Sequence, residues 1–220
     1  MNTMNELVTS VLLVDDHPLL RKGLTQLIDL EDDLEVIGEA ASGKEGIALA
    51  IEHDPDLIIL DLNMQGMDGL EALKAMRAAD VTSRIIMLTV SDNDEDVLTA
   101  ISYGADGYLL KDMDPEDILE RIKQAAEGKM VLSDKLTGVL AKAIRKPDTS
   151  QKANLLSSLT SREFEILKLI AKGLSNKLIA RELDISDGTA KVHVKHLLKK
   201  LNLRSRIEAA VWMLNHQKGD

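Results

Sequence analysis

At 220 residues the chain is long enough for two compact units, and its net charge of −10 is divided unevenly between its ends. Residues 1–154 carry 15 Lys/Arg against 30 Asp/Glu, whereas residues 155–220 carry 12 against 7, so an acidic body is joined to a basic tail that suits a nucleic-acid or membrane contact rather than a single-purpose enzyme. A hydrophobic content of 45% excludes global disorder, and the absence of cysteine excludes disulfide scaffolds, thiolate metal sites and thiol nucleophiles.

Through about residue 130 the sequence repeats one rhythm, a short apolar run followed by an amphipathic stretch. The apolar runs Val11–Val14, Leu34–Gly38, Leu57–Leu60, Ile85–Val90 and Gly107–Leu110 are predicted strands. Helices are predicted near Leu19–Leu30, Lys44–Ile51, Leu70–Ala78, Glu95–Tyr103 and Pro115–Glu127. Helix-start signals support several of them: Ser42 precedes Glu45 by three, Asp68 precedes Glu71 by three, and Asp114 stands before a first-turn proline. Val11–Val14 and Leu57–Leu60 are continuously apolar instead of alternating, which suits parallel strands covered on both faces. The expected fold is therefore α/β, a doubly wound five-stranded parallel sheet, with ligands at the carboxyl ends of its strands. Beyond Gly128 a further helix is expected over Ser133–Ile144, then a flexible linker over Lys146–Asn154. From Leu155 onward strand patterns disappear and helical periodicity resumes, with capping pairs Thr160/Glu163 and Ser205/Glu208. No apolar run approaches the roughly 20 residues that span a bilayer, and the first residues show no charged-then-apolar signal, so a cytoplasmic protein is expected.

Polar residues gather where the strands end. Asp15 and Asp16 follow the first strand, Asp61 ends the third, Thr89 and Ser91 flank the end of the fourth, and Lys111 follows the fifth. Carboxylates converging on one rim repel one another unless a cation sits among them, and an oxygen-only set without histidine or cysteine favours Mg²⁺. An Asp beside such a cation is suited to nucleophilic attack on phosphorus, with a lysine and a hydroxyl to hold the phosphoryl oxygens. A calcium loop is excluded: Asp61-Leu-Asn63-Met-Gln65-Gly66 follows a strand, and its twelfth position is Ala72.

This ordered set resembles the receiver domain of two-component response regulators over about residues 9–128. The resemblance implies phosphoryl transfer from a sensor histidine kinase onto Asp61. It also implies Mg²⁺ bound by Asp16 and Asp61, by Asp15 through water and by the Asn63 backbone carbonyl. Thr89 and Lys111 would act on the phosphoryl group, and Thr89 with Tyr108 would form a switch pair. Gln65 departs from the family, many members of which have proline there. An aspartyl-phosphate phosphatase or phosphotransferase shares the nucleophilic Asp, but such enzymes usually carry a second Asp two residues on, where this chain has Asn63. A phospho-independent regulator with a vestigial receiver is a second alternative.

Residues 155–220 read as four helices: Ser161–Ala171, stopped by Gly173; Asn176 to about Leu183; a third from after Ser186 to about Leu201; and a fourth after Ser205. Only Asp184-Ile185-Ser186 joins the second to the third, the short connection of a helix-turn-helix. At about 100° per residue, Ala190, Val194, Leu197, Leu198 and Leu201 form one apolar stripe of the third helix. Lys191, Lys195 and Lys199 lie to one side of it, with Val192 beside them. An apolar group among lysines suits a helix in a DNA major groove, where lysines meet guanine or phosphate and a valine meets a thymine methyl. Trp212 is expected in core or dimer packing rather than as a base-stacking residue.

The stretch from Leu159-Thr-Ser-Arg-Glu163 through Leu174-Ser-Asn-Lys-Leu-Ile-Ala180 to Thr189-Ala-Lys-Val-His-Val-Lys-His196 resembles the LuxR/FixJ-type DNA-binding domain. With the receiver, the whole chain resembles the NarL-type nitrate/nitrite response regulators. The implied organisation is a receiver at 1–128, a linker helix and flexible linker at 129–156, and an all-α four-helix, helix-turn-helix domain at 157–220. Lys191, Val192, Lys195 and Lys199 are the candidate DNA contacts. The resemblance further implies a receiver that obstructs the recognition helix at rest, and a homodimer on double-stranded DNA half-sites once phosphorylated. Mg²⁺ is the implied cofactor, and no enzymatic turnover is expected.

Overall fold

The computed structural model describes residues 8–91, 93–129, 131–132 and 159–217. Five strands are β1 (Thr9–Val14), β2 (Leu34–Ala40), β3 (Leu57–Asp61), β4 (Arg84–Thr89) and β5 (Gly107–Leu110). Helices α1 (Pro18–Ile28), α2 (Gly43–His53), α3 (Gly69–Ala78), α4 (Asp94–Tyr103) and α5 (Pro115–Glu127) alternate with them. The sheet is parallel in the order β2-β1-β3-β4-β5-β6, where β6 is the two-residue strand Val131–Leu132. The expected five strands are thus joined at the edge by a sixth, too short to leave a period in the sequence. It falls within the stretch expected to be linker. The helix expected at 133–144 and the linker expected at 146–154 lie outside the described residues.

The continuous apolar runs hide an alternation that burial on both faces makes invisible in composition. Leu12, Val14, Ile58, Leu60, Ile85 and Met87 point into one core, beneath α2, α3 and α4. Val11, Leu13, Leu57, Ile59, Ile86 and Leu88 point into the other, beneath α1 and α5. Burying both faces of the central strands is the main source of stabilisation, at roughly 25 cal/mol per Å² of apolar surface removed from water.

Caps fix where the helices begin. Asp68 and Glu71 form a complete reciprocal capping box at α3, and the Ser42 hydroxyl accepts from the Glu45 amide at α2. Asp114, expected to cap α5, makes no side-chain cap hydrogen bond; the helix start rests on Pro115 and its preset φ.

A separate core is built from α6 (Ser161–Ala171), α7 (Asn176–Glu182), α8 (Asp187–Leu201) and α9 (Arg206–Gln217). Thr160 and Glu163 complete a capping box at α6. The stripe Ala190, Val194, Leu197, Leu198 and Leu201 of α8 is buried as its angles require, together with Trp212. No helix among the described residues is long and apolar enough to cross a membrane.

Candidate functional site

Strand order and register assemble the acidic rim. β1 has β2 on one side and β3 on the other, so the crossovers diverge at the β1/β3 boundary and leave a crevice at the strand ends. Val14 is level with Leu60, which brings Asp15 and Asp16 beside Asp61. Asp61 is level with Leu88 and Thr89 with Leu110, so Thr89 and Lys111 complete the rim from β4 and β5.

The Lys111 ammonium lies 2.8 Å from both Asp15 Oδ2 and Asp61 Oδ2, with its side chain only 10% exposed. Asp15 and Asp61 are buried, a costly position for two carboxylates unless cations offset them. The Asn63 amide donates to Asp61 Oδ1 at 3.1 Å and the Gln65 amide to Asp16 Oδ2 at 2.9 Å, so the loop after β3 is tied to the carboxylates by its backbone. Gly69 permits that path: a Cβ there would lie 2.1 Å from the Asp61 carbonyl oxygen. Thr89 is fully buried, and its hydroxyl accepts from the Asn63 side-chain amide at 3.1 Å. Tyr108 is also fully buried, and its hydroxyl donates to the Ser91 carbonyl at 3.1 Å. Every rim residue singled out in the sequence is therefore in one place.

Two contributions were not legible. Asn63 enters through its side chain as well as its backbone. The expectation of a set without histidine is also corrected, because His17 Nδ1 lies 2.9 Å from Asp16 Oδ1, 3.2 Å from Asp15 Oδ1 and 3.7 Å from Asp61 Oδ2. The signal was adjacency, Asp15-Asp16-His17-Pro18, in which the start of α1 folds the imidazole back over the carboxylates. One ligand atom from each of Asp15, Asp16, His17 and Asp61 falls within 4.8 Å of the others. Asp16 Oδ1 and Asp61 Oδ2 are buried and accept no well-formed hydrogen bond, having only the ionic contacts to His17 and Lys111. Unsatisfied carboxylate oxygens converging in this way fit a hard divalent cation.

A second site lies at the opposite, amino-terminal edge of the sheet, where α7 and α8 dock. Lys191 Nζ donates to the Asp54 carbonyl at 2.6 Å and lies 3.4 Å from Asp54 Oδ2 and 3.7 Å from Asp56 Oδ1. Lys177 pairs with Asp56 at 2.7 Å and Lys195 with Asp80 at 3.5 Å. Burial pushes the Asp56 carboxyl up, but hydrogen bonds from Lys177 and Ser10 and the charge of Lys191 outweigh it, holding the group below its ordinary range. Burial likewise pushes Lys191 down, and Asp56, Asp54 and Asp187 together raise it above the usual lysine value. Val192 and Lys199 of the same helix stay exposed.

Beside these pairs Arg206, at the start of α9, is buried with its guanidinium donating to the Asn176 side chain and the Leu174 carbonyl. Burial, with the nearby positive charge of Arg84, lowers its pKa to about 9. Arg84 donates to the Ala125 carbonyl at 2.7 Å and reaches across to the Gly173 carbonyl at 3.4 Å.

The sheet order, the strand-end carboxylates with their lysine, and the helix-turn-helix define a phosphoacceptor-type α/β domain coupled to a nucleic-acid-binding helical domain. Comparison with known proteins makes the class specific. The family model of the response regulator receiver domain matches residues 11–123, and that of bacterial regulatory proteins of the luxR family matches residues 157–213. The nitrate/nitrite response regulator protein NarL of Escherichia coli K12 is 55% identical over 214 residues, 97% of this chain and 98% of its own. The nitrate/nitrite response regulator protein homolog of Haemophilus influenzae is 51% identical over 201 residues, 91% of this chain and 94% of its own. Among solved structures, the response regulator ChrA of a heme-sensing two-component system superposes with a TM-score of 0.50 at 31% identity, covering 96% of this chain and 98% of that one. The chain belongs to the response regulators that join a receiver to a luxR-family DNA-binding domain, a family of transcriptional regulators and not of enzymes.

Proposed function

We propose that this protein is a nitrate/nitrite-responsive transcription factor, switched by phosphorylation of Asp61 from a sensor histidine kinase. The observation that carries this reading is the meeting of Asp15, Asp16, Asp61, Thr89 and Lys111 in one crevice while Lys191 and Lys195 are held against the same domain at its far edge. The signal is taken from its relatives' names.

Asp16 and Asp61, with Asp15 and the Asn63 backbone carbonyl, would hold Mg²⁺, which offsets negative charge on the carboxylates and on an incoming phosphoryl group. An Asp61 carboxylate oxygen attacks phosphorus as the bond to the donor imidazole nitrogen breaks. Lys111, already touching Asp61, then pairs with a phosphoryl oxygen. Thr89 donates its hydroxyl to another, exchanging the Asn63 amide for the phosphoryl group and drawing the end of β4 toward Asp61. Tyr108 is packed inward against Ser91 in the loop that Thr89 pulls, so the two residues move as a pair. In the docked arrangement Lys191 is held against Asp54 and Asp56, and Lys195 faces Asp80, so part of the proposed groove-facing side of α8 lies against the receiver. Phosphorylation therefore acts by shifting population toward an undocked form, in which Lys191, Val192, Lys195 and Lys199 enter a major groove. We assign the receiver to residues 1–128 and the DNA-binding domain to 157–220, place the protein in the cytoplasm, and expect the undocked form to bind paired half-sites as a homodimer.

Incubation with a phosphorylated sensor kinase should label the wild-type chain in a Mg²⁺-dependent manner, and Asp61→Asn should take up no label. Label retained by Asp61→Asn would place the acceptor elsewhere.

Docking and DNA binding share lysines, so substitutions on the two sides of one ion pair should act oppositely. Asp54→Asn combined with Asp80→Asn is expected to raise the DNA affinity of the unphosphorylated protein about three- to tenfold, because each partly exposed pair contributes at most ~1 kcal/mol. Lys191→Ala and Lys195→Ala break the same contacts but should lower affinity. Gel-shift titrations check both directions, and equal losses on both sides would oppose occlusion by docking.

A further inference from the structure

Between the two domains lies a cleft of about 490 Å³, a size that accommodates a small ligand. Its walls include Lys74 and Tyr103 from the receiver, and Lys195, Lys199 and Arg204 from the DNA-binding domain. Arg77 also lines it but is occupied by the carbonyls of Val81, Ser83 and Gly104 and by Asp106. Asp80 is the single carboxylate of the lining, 3.5 Å from Lys195, and both side chains are about two-fifths exposed (42% and 43%). Among the described residues Lys74, Lys199 and Arg204 have no ion-pair partner. Lys74 rests over the Tyr103 ring at 5.3 Å, and Arg204 donates to the Ser102 carbonyl, so two of these cations are held in place from the receiver side.

Three of these cations come from the basic domain and one, Lys74, from the receiver, and the lining sets only the Asp80 carboxylate against them. Four cations facing one cleft repel one another, and a cleft with low-dielectric walls focuses their field. We propose that the cleft binds a short polyphosphate chain, free or carried by a nucleotide, and that the bound chain clamps the two domains in the docked arrangement. A monovalent anion in this space meets one cation at a time, whereas a chain of two or three phosphates forms charge-assisted hydrogen bonds with several. Duplex DNA is too wide to enter, although it competes for Lys195 and Lys199. Because the walls come from both domains, the occupant stabilises docking, and by linkage DNA and the polyphosphate weaken one another's binding. This site goes beyond the phospho-switch, since its occupation needs no change at Asp61.

The test is isothermal titration of the full unphosphorylated chain with inorganic tripolyphosphate in Mg²⁺-free buffer. One saturable site is expected, weakened at least about tenfold in Lys74→Ala and in Arg204→Ala, the loss of one charge-assisted contact. Lys74 lies outside the proposed DNA face, so Lys74→Ala should keep wild-type DNA affinity when no polyphosphate is present. Tripolyphosphate should reduce DNA affinity in the wild type but not in Lys74→Ala. ATP run in parallel separates the two sources of such a chain: equal affinity assigns the site to nucleotides as well, and binding of tripolyphosphate alone assigns it to the inorganic chain, either result supporting the site. Absence of saturable heat overturns the proposal. So does wild-type affinity in both variants, which would mean that polyanions adsorb to the recognition helix alone. Failure of the phospho-switch would appear instead as missing label on Asp61.

Discussion

Replacing Gly128 with alanine is expected to raise the DNA affinity of the unphosphorylated protein by about ten- to a hundredfold, the range open to a form that is one to ten per cent populated at rest. Gly128 ends α5 with φ +112°, and a Cβ there would stand 1.4 Å from the Gly173 carbonyl oxygen and 2.9 Å from an Arg84 guanidinium nitrogen. The obstacle is backbone of the other domain, so rotamer changes cannot relieve it; the DNA-binding domain has to move. Alanine at positive φ also costs about 1 kcal/mol of receiver stability, which a small decrease in Tm would register. Undocking and receiver damage are separable, because an undocked but intact receiver still accepts label on Asp61. Unchanged DNA affinity in a well-folded Gly128→Ala protein would mean that docking does not limit DNA binding.

The largest stability effect is expected at Arg77. Its side chain, 8% exposed, donates to the carbonyls of Val81 at 2.7 Å, Ser83 at 2.8 Å and Gly104 at 2.9 Å, and pairs with Asp106 at 2.6 Å. Asp106 is itself buried and accepts from the Ile85 amide. Burial lowers the Arg77 pKa despite the opposing charge of Asp106, because removal from water disfavours the charged guanidinium. Arg77→Met would take the guanidinium donor from those carbonyls and leave the Asp106 carboxylate buried without its counter-charge, a loss of roughly 3–5 kcal/mol. The Tm should fall by about 10 °C or more. Adding Asp106→Asn should recover part of the loss by removing the stranded charge. A drop of only one or two degrees would mean that water replaces the guanidinium.

Much of the receiver could be read from local chemistry. The runs at Val11–Val14 and Leu57–Leu60 implied parallel strands, and the strand-end residues then implied one rim because a doubly wound sheet has few places to put them. The boundaries of α5 and α6 were legible because Pro115, Gly128, Thr160 and Gly173 are physical starts and stops. β6 was not, since two residues carry no period and only their pairing with β5 defines them. His17 was not legible because it is the N-cap of α1, and only the fold turns its imidazole back over the strand-end carboxylates.

The docked interface was hidden for a different reason. Asp54 and Asp80 both adopt positive φ, 44° and 60°, and in sequence they look like ordinary turn residues at helix ends. Their partners, Lys191 and Lys195, are more than a hundred residues away, and no periodicity links them. The same lysines were legible as a stripe because the angular arithmetic of α8 is local. Sequence therefore supplied the proposal that these lysines face DNA, while the fold was needed to see that they face Asp54, Asp56 and Asp80 in its absence. The opposite net charges of the two halves acquire a specific meaning: at the docking edge, receiver carboxylates pair with the lysines proposed to meet DNA phosphates.

The central claim, that phosphorylation of Asp61 frees a helix otherwise held by the receiver, is tested most directly by titrating a selected duplex operator over a range of salt, with and without phosphorylation by acetyl phosphate and Mg²⁺. The expected result is an affinity increase of about tenfold or more in the wild type and none in Asp61→Asn. The slope against salt should still report the lysine–phosphate contacts of α8. Equal affinity of phosphorylated and unphosphorylated wild-type protein at every salt concentration would contradict it.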